Sequence, residues 1–226
     1  MKKIIAICLI IITLSSFTAC GTTGTDVVST NGVETTISEQ ESENDVDISA
    51  DSVRSAPITD VAAFSYEAID GQMTITNYTG NDTVVVIPDT IEGQSVVVIG
   101  DSAFANNENV KGVVIPDSVT RIERNAFCNC FDLEVFVAGD ALKFIGEYAF
   151  SYCKSLKSVE LNVGLETLEL SCFTSTDELK ELYIPNTVTT LVYPFNEAET
   201  KVTIISESGS AAESYAKEMG ISFKAK

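Results

Sequence analysis

Apolar residues recur every 23 positions through about half of the chain, between residues 99 and 206. The four aligned rows are Ile99, Ile122, Ile145, Leu168 and Leu191; Val110, Leu133, Leu156, Leu179 and Val202; Val113, Phe136, Val159, Leu182 and Ile205; and Phe104, Phe127, Phe150 and Phe173. A fixed period of this length is typical of a solenoid in which each repeat forms one coil. The pattern predicts stacked coils whose rows of apolar side chains share one core.

Each repeat contains two short apolar segments. One has the spacing L-x-x-L-x-L, as in Leu156, Val159 and Leu161, which predicts a short strand with alternate side chains pointing inward. A tight turn follows, as at Pro116-Asp117, and leads to a second segment such as VTRIERNAF, residues 119–127. We expect the two segments to form opposite walls of a coil, and we expect the coils to need stacking because one coil cannot bury its own face.

Both ends of the repeat array carry the signals of a cap. Upstream, two alternating segments flank Asp70-Gly71, a strong two-residue hairpin signal, so residues 63–98 are predicted to be a hairpin cap and a first partial coil. Downstream, Ser210 to Glu213 is a capping box that opens a helix ending near Gly220, followed by the strand ISFKA. The predicted organisation is therefore repeats over 99–206 and a helix–strand cap over 207–226.

The repeat lines resemble the BspA-type leucine-rich repeat family, whose pattern is roughly L-x-x-I-x-I-P-x-x-V-x-x-I-G-x-x-A-F-x-x-C. The resemblance spans about residues 84–206, with Cys172 replacing the usual Ala and the fifth line losing a residue near Phe195. It implies a mostly β leucine-rich-repeat solenoid of about five 23-residue coils. It also implies adhesion or host-protein binding, as in some members of the family.

The N-terminus has the pattern of an export signal. Lys2 and Lys3 precede the apolar segment 4–14, which is too short to span a membrane as a helix. The following FTAC resembles a bacterial lipobox, although Phe17 replaces the usual Leu. We therefore expect residues 1–19 to be a signal peptide and Cys20 to carry a lipid that holds the protein on the outer face of a bacterial membrane. Ordinary secretion without lipid is the alternative.

Residues 20–62 are predicted to be an acidic, disordered tether. The stretch 21–60 carries nine acidic residues against the single basic Arg54, and it has no aromatic residue. From Val61 onward the chain still carries 24 acidic and 11 basic side chains, a net charge of −13. That charge disfavours nucleic acid as a partner, because phosphate binding needs a positive surface. Membrane contact is expected only through the lipid.

The chain contains no histidine, which excludes histidine-based nucleophile pairs, general bases and metal sites. No phosphate-binding glycine motif or calcium-loop spacing is present. The 33 acidic residues make accidental carboxylate pairs unavoidable, so such pairs are interpreted as a solvated surface. We expect no enzymatic activity, no cofactor and no metal.

Two cysteines, Cys130 and Cys153, lie 23 residues apart and so occupy the same place in adjacent coils, about 4.8 Å apart. That distance permits a disulfide. The family resemblance instead implies small buried thiols at this place in the coil, and free cysteine often packs in this way. The pattern favours buried thiols and leaves a disulfide or a metal site as alternatives.

Binding is expected on outward-facing strand positions, because solenoids present extended sheet surfaces to partners. The candidate residues are Val114, Val135, Val137, Ser158, Glu160, Glu181 and Tyr183. The three valines could form an exposed contact patch, or they could simply suit a strand. The sequence thus predicts a monomeric, surface-tethered binding protein for an extracellular protein or glycan. The alternative is a structural or assembly lipoprotein with a partner in the same cell envelope.

Overall fold

The structure is a computed structural model that describes residues 48–195 and 201–226. These residues belong to one compact unit, Asp45–Lys226. The predicted signal peptide, the predicted lipidation of Cys20 and most of the predicted tether lie outside the described residues. For those segments the sequence predictions stand as predictions.

The described residues form short strands and two helices. In chain order they are α1 (Ala50–Arg54), β1 (Phe64–Ile69), β2 (Gln72–Tyr78), β3 (Val84–Val86), β4 (Thr90–Ile91), β5 (Gln94–Ile99), β6 (Gly112–Val114), β7 (Arg121–Ile122), β8 (Val135–Val137), β9 (Phe144–Ile145), β10 (Ser158–Glu160), β11 (Thr167–Leu168), β12 (Glu181–Tyr183), β13 (Thr190–Leu191), β14 (Thr203–Ser206), α2 (Ala211–Met219) and β15 (Ser222–Ala225).

The strands form the two predicted walls. One wall is a sheet in the order β1-β2-β5-β7-β9-β11-β13, parallel from β2 onward, with β4 added antiparallel to β5. The other wall begins with the parallel sheet β3-β6-β8-β10. The parallel sheet β12-β14-β15 occupies the same place in the later coils. The mostly β leucine-rich-repeat solenoid is confirmed.

The solenoid has about six coils, where the sequence pattern predicted about five. The additional coil is the one that contains β3. Val84 of β3 pairs with Gly112, and the chain between them is longer than one repeat by five residues. The extra residues form the β4–β5 hairpin, which turns at Glu92 and Gly93 with φ of 53° and 78°. This insertion hides the first coil from a search at a fixed period.

The last coil is one residue shorter than the others, which corrects one predicted row. Leu182 pairs with Ile204 instead of Ile205, and Ile204 is fully buried. Ile205 is only half-buried, so its assignment to the inward row was wrong. Ser206, two positions after Ile204, is also buried. The missing residue shifts the strand by one position, and a one-residue shift moves every side chain to the opposite face.

A column of stacked aromatic rings runs along the core. Phe104, Phe127, Phe150 and Phe173 stack with centroid separations of 4.8, 5.1 and 5.3 Å. Tyr78 extends the column at one end, 5.0 Å from Phe104, and Phe195 extends it at the other, 5.9 Å from Phe173. Since each ring contacts its neighbour in the next coil, the column fixes the register between coils.

Both predicted caps are present. The β1–β2 hairpin turns at Asp70 and Gly71, whose φ values of 50° and 77° suit the left-handed turn that this dipeptide favours. At the other end, the Ser210 side chain accepts a hydrogen bond from the Glu213 N–H at 3.1 Å and opens α2. Gly220 ends that helix with φ of 68°, and β15 then adds the last strand.

The predicted tether ends earlier than residue 62. Residues 50–54 form α1, and Val61–Ala63 form a short 3-10 turn. Ser49 caps α1 by accepting a hydrogen bond from the Ser52 N–H, and Val53 is buried. The prediction of disorder is therefore wrong for residues 48–62. Average composition concealed a short apolar anchor within an acidic stretch.

Candidate binding surface

The chain covers part of the strand face that was predicted to bind a partner. Residues 48–60, called the strap below, lie across β3, β6 and β8. Val53 of α1 is completely buried against Val135 and Val137, and Ile48, Ala50, Val84 and Val114 pack around the same cluster. This apolar cluster is separate from the main core of the solenoid.

Close packing and polar bonds hold the strap in place. A side chain at Gly112 would put its Cβ 2.4 Å from the Val53 Cγ1, so glycine leaves the space that Val53 fills. The Thr59 N–H donates to the Val86 carbonyl at 2.9 Å, and the Thr59 hydroxyl accepts from the Val86 N–H at 3.1 Å. These bonds cover the edge of β3 and protect it from pairing with another chain.

An ion pair extends the strap to the next coil. The Arg54 guanidinium donates a hydrogen bond to the Glu160 carboxylate. That hydrogen bond raises the pKa of Arg54 above its ordinary value, against the opposing effect of burial. Because both side chains are about half exposed, the pair contributes little to stability. Its effect is that the Glu160 carboxylate already has an ion-pair partner within the same chain.

The predicted exposed valine patch is therefore wrong. Val135 and Val137 have only 1% and 3% of their surface exposed, and Val114 is half-buried. Their outward direction from the strand was predicted correctly, but the strap covers them. An apolar patch on this wall is thus a packing surface for the chain's own N-terminal segment.

The remaining predicted residues lie beyond the strap. Ser158 is half-buried, and Glu181 is exposed with one carboxylate oxygen 3.8 Å from the Lys224 Nζ. The Tyr183 hydroxyl donates to the Glu207 carboxylate at 2.8 Å. Lys226 Nζ lies 4.2 Å from the centre of the Tyr183 ring. The C-terminal cap therefore supplies intramolecular partners for this end of the predicted surface.

The Tyr183–Glu207 bond couples the protonation of both groups. Burial, followed by the hydrogen bond to Glu207, raises the pKa of Tyr183. The same hydrogen bond lowers the pKa of Glu207, whose side chain is half-buried. Both shifts favour a neutral tyrosine donating to an ionised carboxylate. The pair thus fixes the orientation of the Tyr183 ring at neutral pH.

A groove of about 560 Å³ lies where the strap leaves the sheet. Its lining includes the apolar side chains of Ile58, Val86 and Val114 together with the carboxylates of Asp89 and Asp117. Within residues 48–195 and 201–226, no group of three or more cysteine or carboxylate side chains could hold a metal ion. The groove is an acidic, partly apolar surface with no metal-binding arrangement among these residues.

Cys130, Cys153 and Cys172 are buried free thiols in the structure, and Cys128 is a half-buried free thiol. The Cys130 thiol donates to the Phe104 carbonyl and the Cys153 thiol to the Phe127 carbonyl, each at 3.1 Å. Each bond therefore reaches a neighbouring coil. Burial raises the pKa of Cys130 to about 12 and raises that of Cys153 well above its ordinary value. These thiols fill the coil as packing residues, whereas the disulfide alternative would require the two sulfur atoms to leave both carbonyls.

Three solvent-exposed aromatic side chains lie on the turns between the walls. Phe131, Tyr148 and Tyr152, called the aromatic ridge below, have 43%, 38% and 46% of their surface exposed. Tyr193 is a fourth exposed aromatic residue. Sequence reasoning missed this ridge because it searched the strands for binding residues. Tyrosine at repeat positions that are asparagine or serine in other coils was the signal available.

The match to a protein family decides what these coils are. Residues 76–202 match six copies of the BspA type leucine-rich repeat region. The chain belongs to the BspA-type leucine-rich repeat family. The six copies agree with the six coils, including the coil that contains β3. Among curated proteins, none matches the chain.

Two solved structures of leucine-rich repeat proteins are similar to the BspA-type solenoid described above. The T. pallidum leucine-rich repeat protein is 27% identical, with 66% of this chain aligned to 71% of that one and a TM-score of 0.62. A leucine-rich cell surface protein from Faecalibacterium prausnitzii is 28% identical, with a TM-score of 0.52. The alignment covers 70% of this chain and 47% of that protein, so the chain spans about half of its length.

In the part of the chain that the structure describes, no helix is long and apolar enough to cross a membrane. Any lipid at Cys20 lies outside that part.

Proposed function

We propose that this BspA-type protein is a non-enzymatic binding module on the bacterial cell surface. A lipid on Cys20 anchors it, the N-terminal acidic tether extends it from the membrane, and the solenoid binds an extracellular protein or glycan. The observation that carries the proposal is the aromatic ridge, since exposed aromatic side chains on a rigid scaffold are typical of binding surfaces. Family membership supports a recognition role in general terms.

Surface location is supported by a relative and by the sequence. The similar protein from Faecalibacterium prausnitzii is described as a cell surface protein. The lipobox-like FTAC segment at residues 17–20 supports export and lipid attachment in this chain. Mass spectrometry of the protein from its native membrane tests this step. We expect a lipid-modified Cys20 at the mature N-terminus, and an unmodified Cys20 in the mature protein would contradict the anchor.

Capture by the full-length protein tests the binding role. The protein is immobilised through its N-terminus and exposed separately to extracellular matrix proteins, to glycans and to an extract of the producing cell's own envelope. Saturable binding to an extracellular protein or glycan is the expected result. Binding confined to the envelope extract would instead support the structural or assembly alternative, and the absence of binding to all three would contradict the binding role.

A further inference from the structure

Tyr148 and Tyr152 of the ridge have a backbone conformation that other residue types adopt more readily. In each of four successive coils, two residues four positions apart adopt the left-handed conformation, with φ between 53° and 61°. The first row contains Ser102, Asn125, Tyr148 and Ser171, and the second contains Asn106, Asn129, Tyr152 and Ser175. Asparagine tolerates this conformation well, whereas a bulky side chain there is an outlier. The neighbouring coils thus show that serine and asparagine satisfy the turn.

Neither tyrosine is explained by folding. The Tyr148 and Tyr152 N–H groups donate to the carbonyls of Leu170 and Thr174 at 2.9 Å, bonds that any residue except proline would form. Both rings are exposed instead of contributing to the core. Within the described residues, neither hydroxyl forms a hydrogen bond and neither ring takes part in a cation–π pair. A costly residue type without an intramolecular role indicates contact with another molecule.

The charges around the ridge indicate the chemistry of that molecule. Asp132 directly follows Phe131 in the chain, and Glu147 directly precedes Tyr148. Both carboxylate side chains are exposed. Asp177 is exposed two coils along from Phe131. Among the described residues these three carboxylates form no ion pair. Exposed aromatic rings beside unpaired carboxylates are complementary to cations, because a ring face and a carboxylate both attract positive charge.

Three aromatic rings among the described residues already lie against a cationic side chain, and one of them, Phe131, belongs to the ridge. Arg121 lies over Phe144 at 4.0 Å, Lys226 over Tyr183 at 4.2 Å, and Lys154 over Phe131 at 5.8 Å. Lys154 follows Tyr152 by two residues, so the ridge contains one cation–π contact made within the chain. The rings of Tyr148 and Tyr152 offer further faces for a cation supplied by a partner.

We propose that the aromatic ridge binds a lysine- or arginine-rich segment of an extracellular protein. The inference rests on the proposed function and names both the surface and the partner chemistry. The partner's cationic side chains lie over the faces of Tyr148 and Tyr152, while Asp132, Glu147 and Asp177 neutralise their charge. A neutral glycan stacked on the same rings is the competing occupant.

The test replaces both rings by the residues of neighbouring coils. The full-length Tyr148→Ser/Tyr152→Asn variant keeps every charge, so general attraction between an acidic protein and a basic probe is unchanged. An oligolysine peptide is the probe and calorimetry is the assay. We expect binding to weaken about 5- to 30-fold, as loss of two exposed cation–π contacts implies. The matched control, Val163→Ser, changes a side chain that is 75% exposed elsewhere on the solenoid and should bind as the wild type.

Other outcomes distinguish the ridge proposal from a folding role of the two tyrosines and from glycan binding. The melting temperature of the double variant should equal or exceed that of the wild type, and a large fall would assign the tyrosines to folding. Equal oligolysine binding by the wild type and the double variant would overturn the ridge proposal. So would ring-dependent binding of a neutral oligosaccharide in place of oligolysine. If the double variant still captures an extracellular partner as the wild type does, the proposed function stands while the ridge does not.

Discussion

We predict that a single methyl group added at Gly112 displaces the strap. The Cβ of Gly112→Ala would lie 2.4 Å from the Val53 Cγ1, a separation too short for two carbon atoms, whereas its other near neighbours are at 3.5 Å. At the equivalent position, the adjacent coils carry Val135, Ser158 and Glu181. Since those coils accept a side chain, the substitution should disturb the strap while leaving the solenoid folded.

The expected weakening of strap docking follows from the interactions that the strap would lose. Complete burial of a valine side chain contributes about 1.5–3 kcal/mol. The half-exposed Arg54–Glu160 pair adds at most about 1 kcal/mol. Expelling Val53 should therefore weaken strap docking by about 2 kcal/mol, which corresponds to about 30-fold less protection of its amides from hydrogen exchange.

Hydrogen exchange measured by mass spectrometry on the peptide spanning residues 48–60 checks this magnitude. Peptides from the aromatic column, such as the one around Phe150, should keep their protection. Val53→Ala removes the clashing Cγ1, so the effect of Gly112→Ala should shrink in the Val53→Ala background, a non-additivity expected only for residues in contact. Unchanged strap protection in Gly112→Ala would refute the packing described here, and general loss of protection would show that the coil itself needs glycine.

Three further predictions concern the core. In the native protein at pH 8, Cys128, which is half-buried, should react with an alkylating reagent before Cys130, and mass spectrometry should find every thiol modified after unfolding; a disulfide between coils would leave two unmodified. Burial raises the pKa of Tyr78 to about 12, so the stability contributed by its neutral hydroxyl is fully present below about pH 10 and is lost towards pH 12. The free energy of urea unfolding of Tyr78→Phe should therefore depend less steeply on pH in this range than that of the wild type, and an equal slope would be contrary evidence. Phe150→Ala should lower the free energy of unfolding by about 3–5 kcal/mol, because the ring is fully buried between two stacked rings; a loss under about 1 kcal/mol would contradict the role of the column.

The repeat array was predictable because folding imposes the same demand on every coil. Rows of apolar residues must meet at a fixed spacing, so the period identifies the walls and the aromatic column directly. That logic fails where the spacing changes. The five-residue insertion before β5 concealed the first coil, and the missing residue before β14 put Ile205 in the inward row where the structure has Ile204.

The binding surface was less predictable, for two physical reasons. Alternation within a strand tells which side chains point away from the core, but it does not tell whether another segment covers them. Val53 covers Val135 and Val137 although it precedes the first coil, and no local sequence pattern connects the three residues. The ridge was missed for the opposite reason, because Tyr148 and Tyr152 break the repeat pattern instead of following it.

Contact between this BspA-type protein and its partner is expected to be made through the aromatic ridge. Photo-crosslinking on intact producing cells tests it, with Tyr152→p-benzoylphenylalanine compared with the same substitution at Val163 and both cell populations supplied with extracellular matrix proteins. The claim predicts a covalent adduct from position 152, absent from position 163, which maps to a lysine- or arginine-rich segment of the partner. Equal adduct yields from the two positions, or none from position 152 while the partner remains bound to the cells, would contradict it.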